Sequence, residues 1–376
     1  MKNSWIHARR GITARQAHVG VPDGLKEEEI GRLGFQGRVA ELYHLHDPTG
    51  WIRTDGNFHP GDVDGYKLEP SDRTDARGRA EVLWHNKDLS VAVSRRTQAV
   101  DFYARNCDTD ELWFVHKGAG ALETEFGALS FESGDYLVVP KGVTQRLVPK
   151  SKDNFFLHLQ SASEISFVEH ATLGRHNPFD PDVITIPDPV PAPSEPGKEY
   201  ELKVKRDGKV TSFIYPHNPM DVAGWKGDLF PFKFHNMDFR PVVADRNHVP
   251  PTASGLFQGN GWIICNFVPA PLQRDREAMR LPYYHRNVDY DEIGFIHSGS
   301  IAGAPIIGGT FLWHPRGPCH GPSEEVRRLS DQYWEEIGTN DLQAVNIDCL
   351  NPLTMSESAQ RLLTRGSQLN TGRRAD

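Results

Sequence analysis

The 376-residue chain is expected to fold as two β-barrel modules joined by a linker, with few and short helices. A pattern written twice implies a duplication, and segments of two-residue period imply strands. Thirty-four glycines and 27 prolines, with a mean hydropathy of −0.53, argue for many turns and against long helices. The first copy of the pattern reads Asn106-Cys-Asp-Thr-Asp-Glu111 and is followed by Gly118. The second reads Asn287-Val-Asp-Tyr-Asp-Glu292 and is followed by Gly299, so all three anchors are displaced by 181 residues (287 less 106). A second half-pattern, Pro140-Lys-Gly142-Val-Thr-Gln145, recurs as Pro315-Arg-Gly317-Pro-Cys-His320.

The elements follow in chain order. Residues 1–75 are polar, broken by short apolar pieces such as Val39 to His44. The pair His44 and His46 reads as a polar strand end, because Asp47-Pro48 turns the chain before a carboxylate could follow on the same strand. Leu122 to Phe126 and Leu129 to Phe131 alternate apolar and polar, as half-buried antiparallel strands do. Glu132 to Asp135 is a turn, Tyr136 to Val139 a strand, and Pro140-Lys-Gly142 a turn. Residues 186–200 carry a proline at nearly every second position and predict an extended linker. The division is therefore 1–185, linker 186–200, and 201–376. In the last part Trp262 to Val268, Glu292 to His297, Gly308 to His314 and Ala344 to Leu350 read as strands. Ser323 caps a helix start, and the final ~20 residues are expected to fray.

A net charge of −8, a pI near 6.1 and the lack of a long basic run exclude nucleic acid as an expected partner. No run of 18 apolar residues predicts a membrane helix, and the N-terminus lacks the apolar core of a secretory signal. Cys107, Cys265, Cys319 and Cys349 fall in no CxxC spacing, so reduced thiols and a cytoplasmic location are expected.

The copies differ where metal chemistry would sit. Two residues before the asparagine the first has Ala104 and the second His285; the half-patterns end in Gln145 and His320. Loss of both histidines from one copy predicts one metal site per chain, built from His285, Glu292 and His320. Residues i and i+2 of a strand share a face, so His285 and Asn287 point together. Two imidazoles and one carboxylate with open positions suit non-heme Fe(II) binding substrate and O2 together, although zinc or manganese could take the same donors. Asp291 is the alternative carboxylate; the repeat register favours Glu292, which stands before Gly299 as Glu111 stands before Gly118.

The motif H-x-N-x4-E-x6-G followed by P-x-G-x2-H resembles the paired motifs of the cupin superfamily. With its degenerate first copy the chain is similar to a bicupin, an all-β pair of double-stranded β-helix (jelly-roll) barrels. Leu281-Pro-Tyr-Tyr-His285-Arg-Asn287, Pro318-Cys-His320-Gly-Pro322, Pro231-Phe-Lys-Phe234, Arg246-Asn-His248-Val-Pro-Pro251 and Cys265-Asn-Phe-Val-Pro-Ala-Pro271 resemble homogentisate 1,2-dioxygenases more narrowly. Glu41-Leu-Tyr-His-Leu-His46 resembles the shorter bacterial members. The resemblance implies a homo-oligomer whose Fe(II), held by His285, Glu292 and His320, meets a hydroquinone-type substrate and O2. It assigns His248 as the base for a ring hydroxyl, and places His314, His297, Asn287 and Tyr284 around ligands and substrate. Family members usually carry a Lys, often with a Tyr, a few residues after Gly299 to hold the substrate carboxylate. Here Ser300 to Ile307 has no basic residue, so either Ile301, Ala304 and Ile306 make an apolar substrate end for a less acidic hydroquinone, or Arg274, Arg276 or Arg280 swings in to supply the cation and homogentisate is accepted. Two other classes stay open. One is a metal-binding bicupin without turnover, a binding or sensor protein. The other is a gentisate-type dioxygenase, whose members usually read His-x-His where this chain has His285-Arg-Asn287.

Overall fold

A computed structural model describes residues 7–33, 37–56, 58–279, 283–301 and 303–364. Strands dominate, as a bicupin requires. Two helices are present among the described residues, Glu324–Glu336 and Glu357–Leu362. Ser323 and Ser356 cap them, each accepting from the backbone N–H three residues on, which satisfies an otherwise orphaned donor. No helix among the described residues is long and apolar enough to cross a membrane. Of the final ~20 residues expected to fray, those up to 364 are ordered instead, in the helix Glu357–Leu362 and the bonds of Thr364 to Asp62, and those from 365 onward lie outside the described residues.

The duplication is visible strand by strand. One seven-stranded sheet has the order Phe232–His235, Asp135–Val139, Asp110–Lys117, Phe155–Ser161, Leu89–Ser94, Glu81–His85, Thr354–Met355. The other has, read the same way, Gly61–Asp64, Thr310–His314, Asp291–Ser298, Gln343–Cys349, Trp262–Phe267, Gly255–Gly259, Ser166–Phe167. The five inner strands correspond one to one. Both outer strands of each sheet come from the opposite half of the chain. The exchange extends to the hairpins. Tyr200–Arg206 with Lys209–Tyr215 adds in parallel to Tyr103–Asn106 in the first barrel. Lys26–Gly31 with Val39–His44 adds in parallel to Tyr284–Asn287 in the second. Such exchange covers sheet edges that would otherwise offer unpaired backbone groups.

A large apolar core lies between the two seven-stranded sheets, where Trp84 stacks on Trp313 at 5.8 Å, and Phe114 meets Phe295 at 6.2 Å. The barrel interiors differ. The first is filled by Val115, Leu122, Leu129, Phe131, Leu147, Phe156 and their neighbours, with Trp113 packed against them. The second has a small cluster of Ile296, Leu312 and Ala344, with Phe267, Ile306 and Leu342 against it. Trp113 in the first barrel pairs with His158 in register; its counterpart in the second, Gly294, pairs with Asn346. A missing indole leaves the second barrel hollow.

Expressed alone, a 1–185 fragment would expose the edges that Phe232–His235 and Thr354–Met355 cover. It is expected to aggregate, and to become soluble when co-expressed with 186–376. A monomeric, cooperatively melting 1–185 fragment would show that the exchanged strands are dispensable.

Candidate metal centre

Strand pairing brings the two halves of the motif together. His285 and His320 face each other in an antiparallel bridge, each backbone N–H donating to the other's carbonyl at 2.9 Å. Gly317 N–H donates to Asn287 O at 2.9 Å and carries φ of +101°, a conformation glycine adopts without strain. The first barrel has the same construction without the histidines: Gln145 pairs with Ala104, and Gly142 N–H donates to Asn106 O at 2.8 Å.

Glu292 enters from the adjacent strand, in register with His314 on one side and Asp348 on the other. Its Oε2 lies 3.5 Å from His285 Nε2 and 3.5 Å from His320 Nε2. Asn287 Nδ2 donates to Oε2 at 3.1 Å, and His314 Nδ1 lies 3.2 Å from Oε1. One donor atom from each of His285, Glu292 and His320 falls within 4.8 Å of the others. Burial pushes the Glu292 carboxyl up, but the imidazoles of His285, His314 and His320 around it outweigh burial and hold the group well below the usual range. His320 is buried, and burial with the neighbouring His285 and His314 lowers it to about 3. Neither ring nitrogen of His320 has a hydrogen-bond partner. Bare nitrogens in a buried imidazole are costly, and a cation among these donors would satisfy one of them. The residues fit a metal ion.

Asp291 is occupied elsewhere. Its Oδ1 accepts from the Arg316 backbone at 2.9 Å and from Arg316 Nε at 3.1 Å, and Oδ2 accepts from Leu353 N at 2.8 Å. Asp110, its counterpart, accepts from Lys141 N and Ile165 N in the same manner. This acid ties down turns in both barrels.

The first barrel shows what replaces a metal. Glu111 accepts from Asn106 Nδ2 at 3.2 Å, from Gln160 Nε2 at 3.0 Å and from Gln145 Nε2, with His158 Nε2 at 3.4 Å. Trp113 stacks on His158 at 3.5 Å. Amide donors there do what a cation would do. Gln160 corresponds in register to Asp348, a buried acid whose carboxyl burial and the nearby Glu292 push well above the usual range.

The cluster forms the floor of a cavity of about 270 Å³. Its walls are mostly apolar, with Val243, Val268, Leu272 and Leu342 beside His248 and Tyr283. Among the described residues no Lys or Arg lines it, and its acids are Glu292 and Asp62. Burial lifts Asp62 to about 7.

The other expected residues divide. His248 lines the cavity, is buried, and has an Nε2 without a hydrogen-bond partner. Burial, with His18 and His285 nearby, lowers it to about 3, so the ring is neutral at neutral pH. His314 and Asn287 brace Glu292. His297 is not brought to the cluster: its Nδ1 sits 3.0 Å from Nδ1 of His116, its repeat counterpart, at the junction of the barrels. Tyr284 also points elsewhere, donating to Asp47 Oδ1 at 2.9 Å. The strands Ser300–Ile301 and Ala304–Pro305 form a small ribbon; the Ile301 and Ala304 side chains lie outside the described residues. Ile306 packs behind the cavity wall. Arg274 is exposed and bonded to Asp245, and Arg276 lines a different cavity. Arg280 lies outside the described residues. Tyr283, Gly294 and Asp348 were missed. Tyr283 is two residues before His285, hence on its face, and the rings lie 5.0 Å apart. Gly294 and Asp348 could have been found by carrying the repeat register onto the neighbouring strands.

A folded His248 refuses a proton that the unfolded chain takes up below about pH 6.5. Wild-type stability should therefore fall as pH drops from about 6.5 towards 3, and His248→Asn should lack that part of the loss. Urea midpoints at about pH 7 and 5 check it; equal losses in both proteins would mean that His248 is not held neutral by burial.

Residues 82–236 match the family described as the N-terminal part of homogentisate 1,2-dioxygenase. A protein of Saccharolobus solfataricus named provisionally as a dioxygenase is 29% identical over 376 residues, covering 95% of this chain and 96% of that protein. The homogentisate 1,2-dioxygenase of Nitrobacter hamburgensis is 29% identical over 239 residues, covering 60% of this chain and 52% of the enzyme. The chain thus spans about half the length of that enzyme. Among solved structures, a cupin-2 domain protein of Shewanella frigidimarina is similar at 18% identity and a TM-score of 0.21, covering 22% of this chain and 79% of that one.

Proposed function

We propose that this chain, which belongs to the homogentisate 1,2-dioxygenase family, is an Fe(II)-dependent dioxygenase that opens the ring of a hydroquinone-type aromatic. One observation carries the reading: a two-imidazole, one-carboxylate cluster floors an apolar cavity in the barrel that its duplicate keeps filled. Fe(II), if bound there, would supply the electron transfer between an aromatic ring and O2 that ring opening requires.

The chain's own residues prepare that reaction. His285, Glu292 and His320 would hold the ion. Asn287 and His314 fix the two oxygens of Glu292, so the carboxylate cannot rotate away. His248 lines the cavity as a neutral imidazole whose Nε2 has no hydrogen-bond partner, and would accept the proton of a substrate hydroxyl. A proton there is favoured only while a phenolate faces it, because burial otherwise opposes the charge. Valine and leucine walls exclude water from the ring. Tyr283 closes the side beside His285.

The substrate is proposed to be a neutral hydroquinone. An acetate arm would be desolvated in a cavity that offers no cation among the described residues and already holds Asp62, which costs several kcal/mol. Anaerobic reconstitution with Fe(II), followed by O2, should therefore give oxygen uptake with methylhydroquinone at a kcat/KM at least ~10-fold above that for homogentisate. Strong preference for the acid would place a cation, Arg280 being available, in the pocket. No uptake with any hydroquinone would sink the dioxygenase reading. Refusal of Fe(II) as well would leave the non-catalytic bicupin in its place.

A further inference from the structure

We propose that the N-terminal hairpin builds a second cation site in the same chain, with His18, Glu29 and Glu41 as ligands for a divalent transition metal and Glu27 orienting the His18 ring. In the hairpin Lys26–Gly31/Val39–His44, Glu29 stands directly opposite Glu41, and Glu27 opposite Tyr43. Strand parity puts all four on one face. His18 lies against that face, its backbone N–H donating to Glu27 Oε1 at 2.9 Å. Its ring Nδ1 lies 2.9 Å from the same oxygen, and Nε2 lies 2.8 Å from Glu29 Oε2. One donor atom from each of His18, Glu29 and Glu41 falls within 4.8 Å of the others.

Three observations favour a cation over a structural acid cluster. Glu27, 2% exposed, keeps Oε2 without a hydrogen-bond partner, and both Glu41 carboxyl oxygens are buried without one. Like charges directly opposite across a strand pair are destabilising, and unpaired buried carboxylates more so.

The second observation is an internal control on the same strand. Glu28, on the other face, receives Arg286 through Nε at 2.9 Å and NH2 at 3.0 Å, and His44 at 2.7 Å. The chain gives that one acid a guanidinium and an imidazole, whereas Glu27, Glu29 and Glu41 share the single imidazole of His18.

The third is the duplicate hairpin. Glu29 is in register with His285, and Lys203 with Ala104, so Lys203 and its partner Ser212 stand where Glu29 and Glu41 stand here. Among the described residues, the acid pair stands on the hairpin that joins the barrel carrying the metal-type motif, and not on its counterpart at the other barrel. An imidazole with two carboxylates suits Zn²⁺ or Mn²⁺. A carboxylate on the other ring nitrogen is the usual way such a histidine is oriented. Glu27 also lines a second cavity of about 840 Å³. The site backs onto the first: the Tyr283 ring lies 4.8 Å from His18 and 5.0 Å from His285.

The test uses the full chain, stripped with a chelator and then dialysed against Zn²⁺ or Mn²⁺. Wild type should hold two ions, and His285→Ala one. Glu29→Gln/Glu41→Gln in the His285→Ala background should hold none, while Glu27→Gln should weaken the remaining site about 10- to 100-fold. Thermal melting gives a readout independent of activity and of the first centre. His285→Ala should gain stability on adding Zn²⁺, and the triple variant, its like charges relieved, should melt no lower without metal and gain nothing with it. His18→Gln in the same background repeats the test without touching the acids. Failure of His285→Ala to bind any ion, or full retention by both the triple variant and His18→Gln, would overturn the proposal. Wild type and His285→Ala holding the same single ion would overturn the first centre instead.

Discussion

Replacing His320 by Ala is expected to strip iron from the reconstituted chain and lower oxygen uptake more than about 100-fold, because even residues that only orient a metal ligand cost 10- to 100-fold. His285→Ala and Glu292→Ala should do the same. The barrel should stay folded in all three, and the molecule contains the reason. Its first barrel closes around Ala104 and Gln145 with the same bridge that joins His285 to His320. Asp291→Ala is the informative contrast. That carboxylate holds Arg316 and two backbone N–H groups, so losing it should cost stability, about 3–5 kcal/mol for a broken buried pair. Iron bound per folded chain should be unchanged. Elemental analysis with thermal melting separates the outcomes: a variant that melts normally but loses iron at Asp291, while Glu292→Ala keeps it, would move the carboxylate ligand by one residue.

What could be read from the chain, and what could not, follows from the range of each signal. Local patterning placed the strands that were read from the sequence to within about two residues: Tyr136 to Val139 became Asp135–Val139, and Ala344 to Leu350 became Gln343–Cys349. The repeat register gave the motif residues because duplication keeps spacing within a strand–turn–strand unit. Exchange of outer strands was invisible. Nothing in Gly61–Asp64 or Phe232–His235 states which sheet a short segment will join, and pairing with the opposite half is decided by edges that exist only in the folded state. Tyr284 and Tyr283 show the same limit more finely. Both flank His285, but the pleat sends one ring to the cavity and the other to Asp47. His18 could not be placed at all, because its partners Glu27, Glu29 and Glu41 meet it through a turn with φ of +59° at His18 itself.

Gly294→Trp should abolish turnover while leaving iron bound. Trp113 occupies the corresponding place in the first barrel, over His158, and that barrel has a filled interior. At Gly294 a Cβ would meet Asn346 Oδ1 and Leu312 at 3.5 Å, ordinary contact distances, so a side chain can start there without displacing backbone. An indole then has the cavity of about 270 Å³ to enter, and burying its 150–250 Å² is favourable. The substrate's space is lost; the donor atoms of His285 and His320, on another strand, are not touched. We expect kcat/KM to fall more than ~100-fold, a loss of at least about 2.7 kcal/mol of transition-state stabilisation. Gly294→Ala, which adds one methyl, should change it less than about 10-fold. Iron content near wild type with no oxygen uptake is the expected pair of results. Undiminished turnover in Gly294→Trp would show that the ring is bound outside this barrel, and loss of iron along with activity would show that the position supports the ligands rather than the substrate.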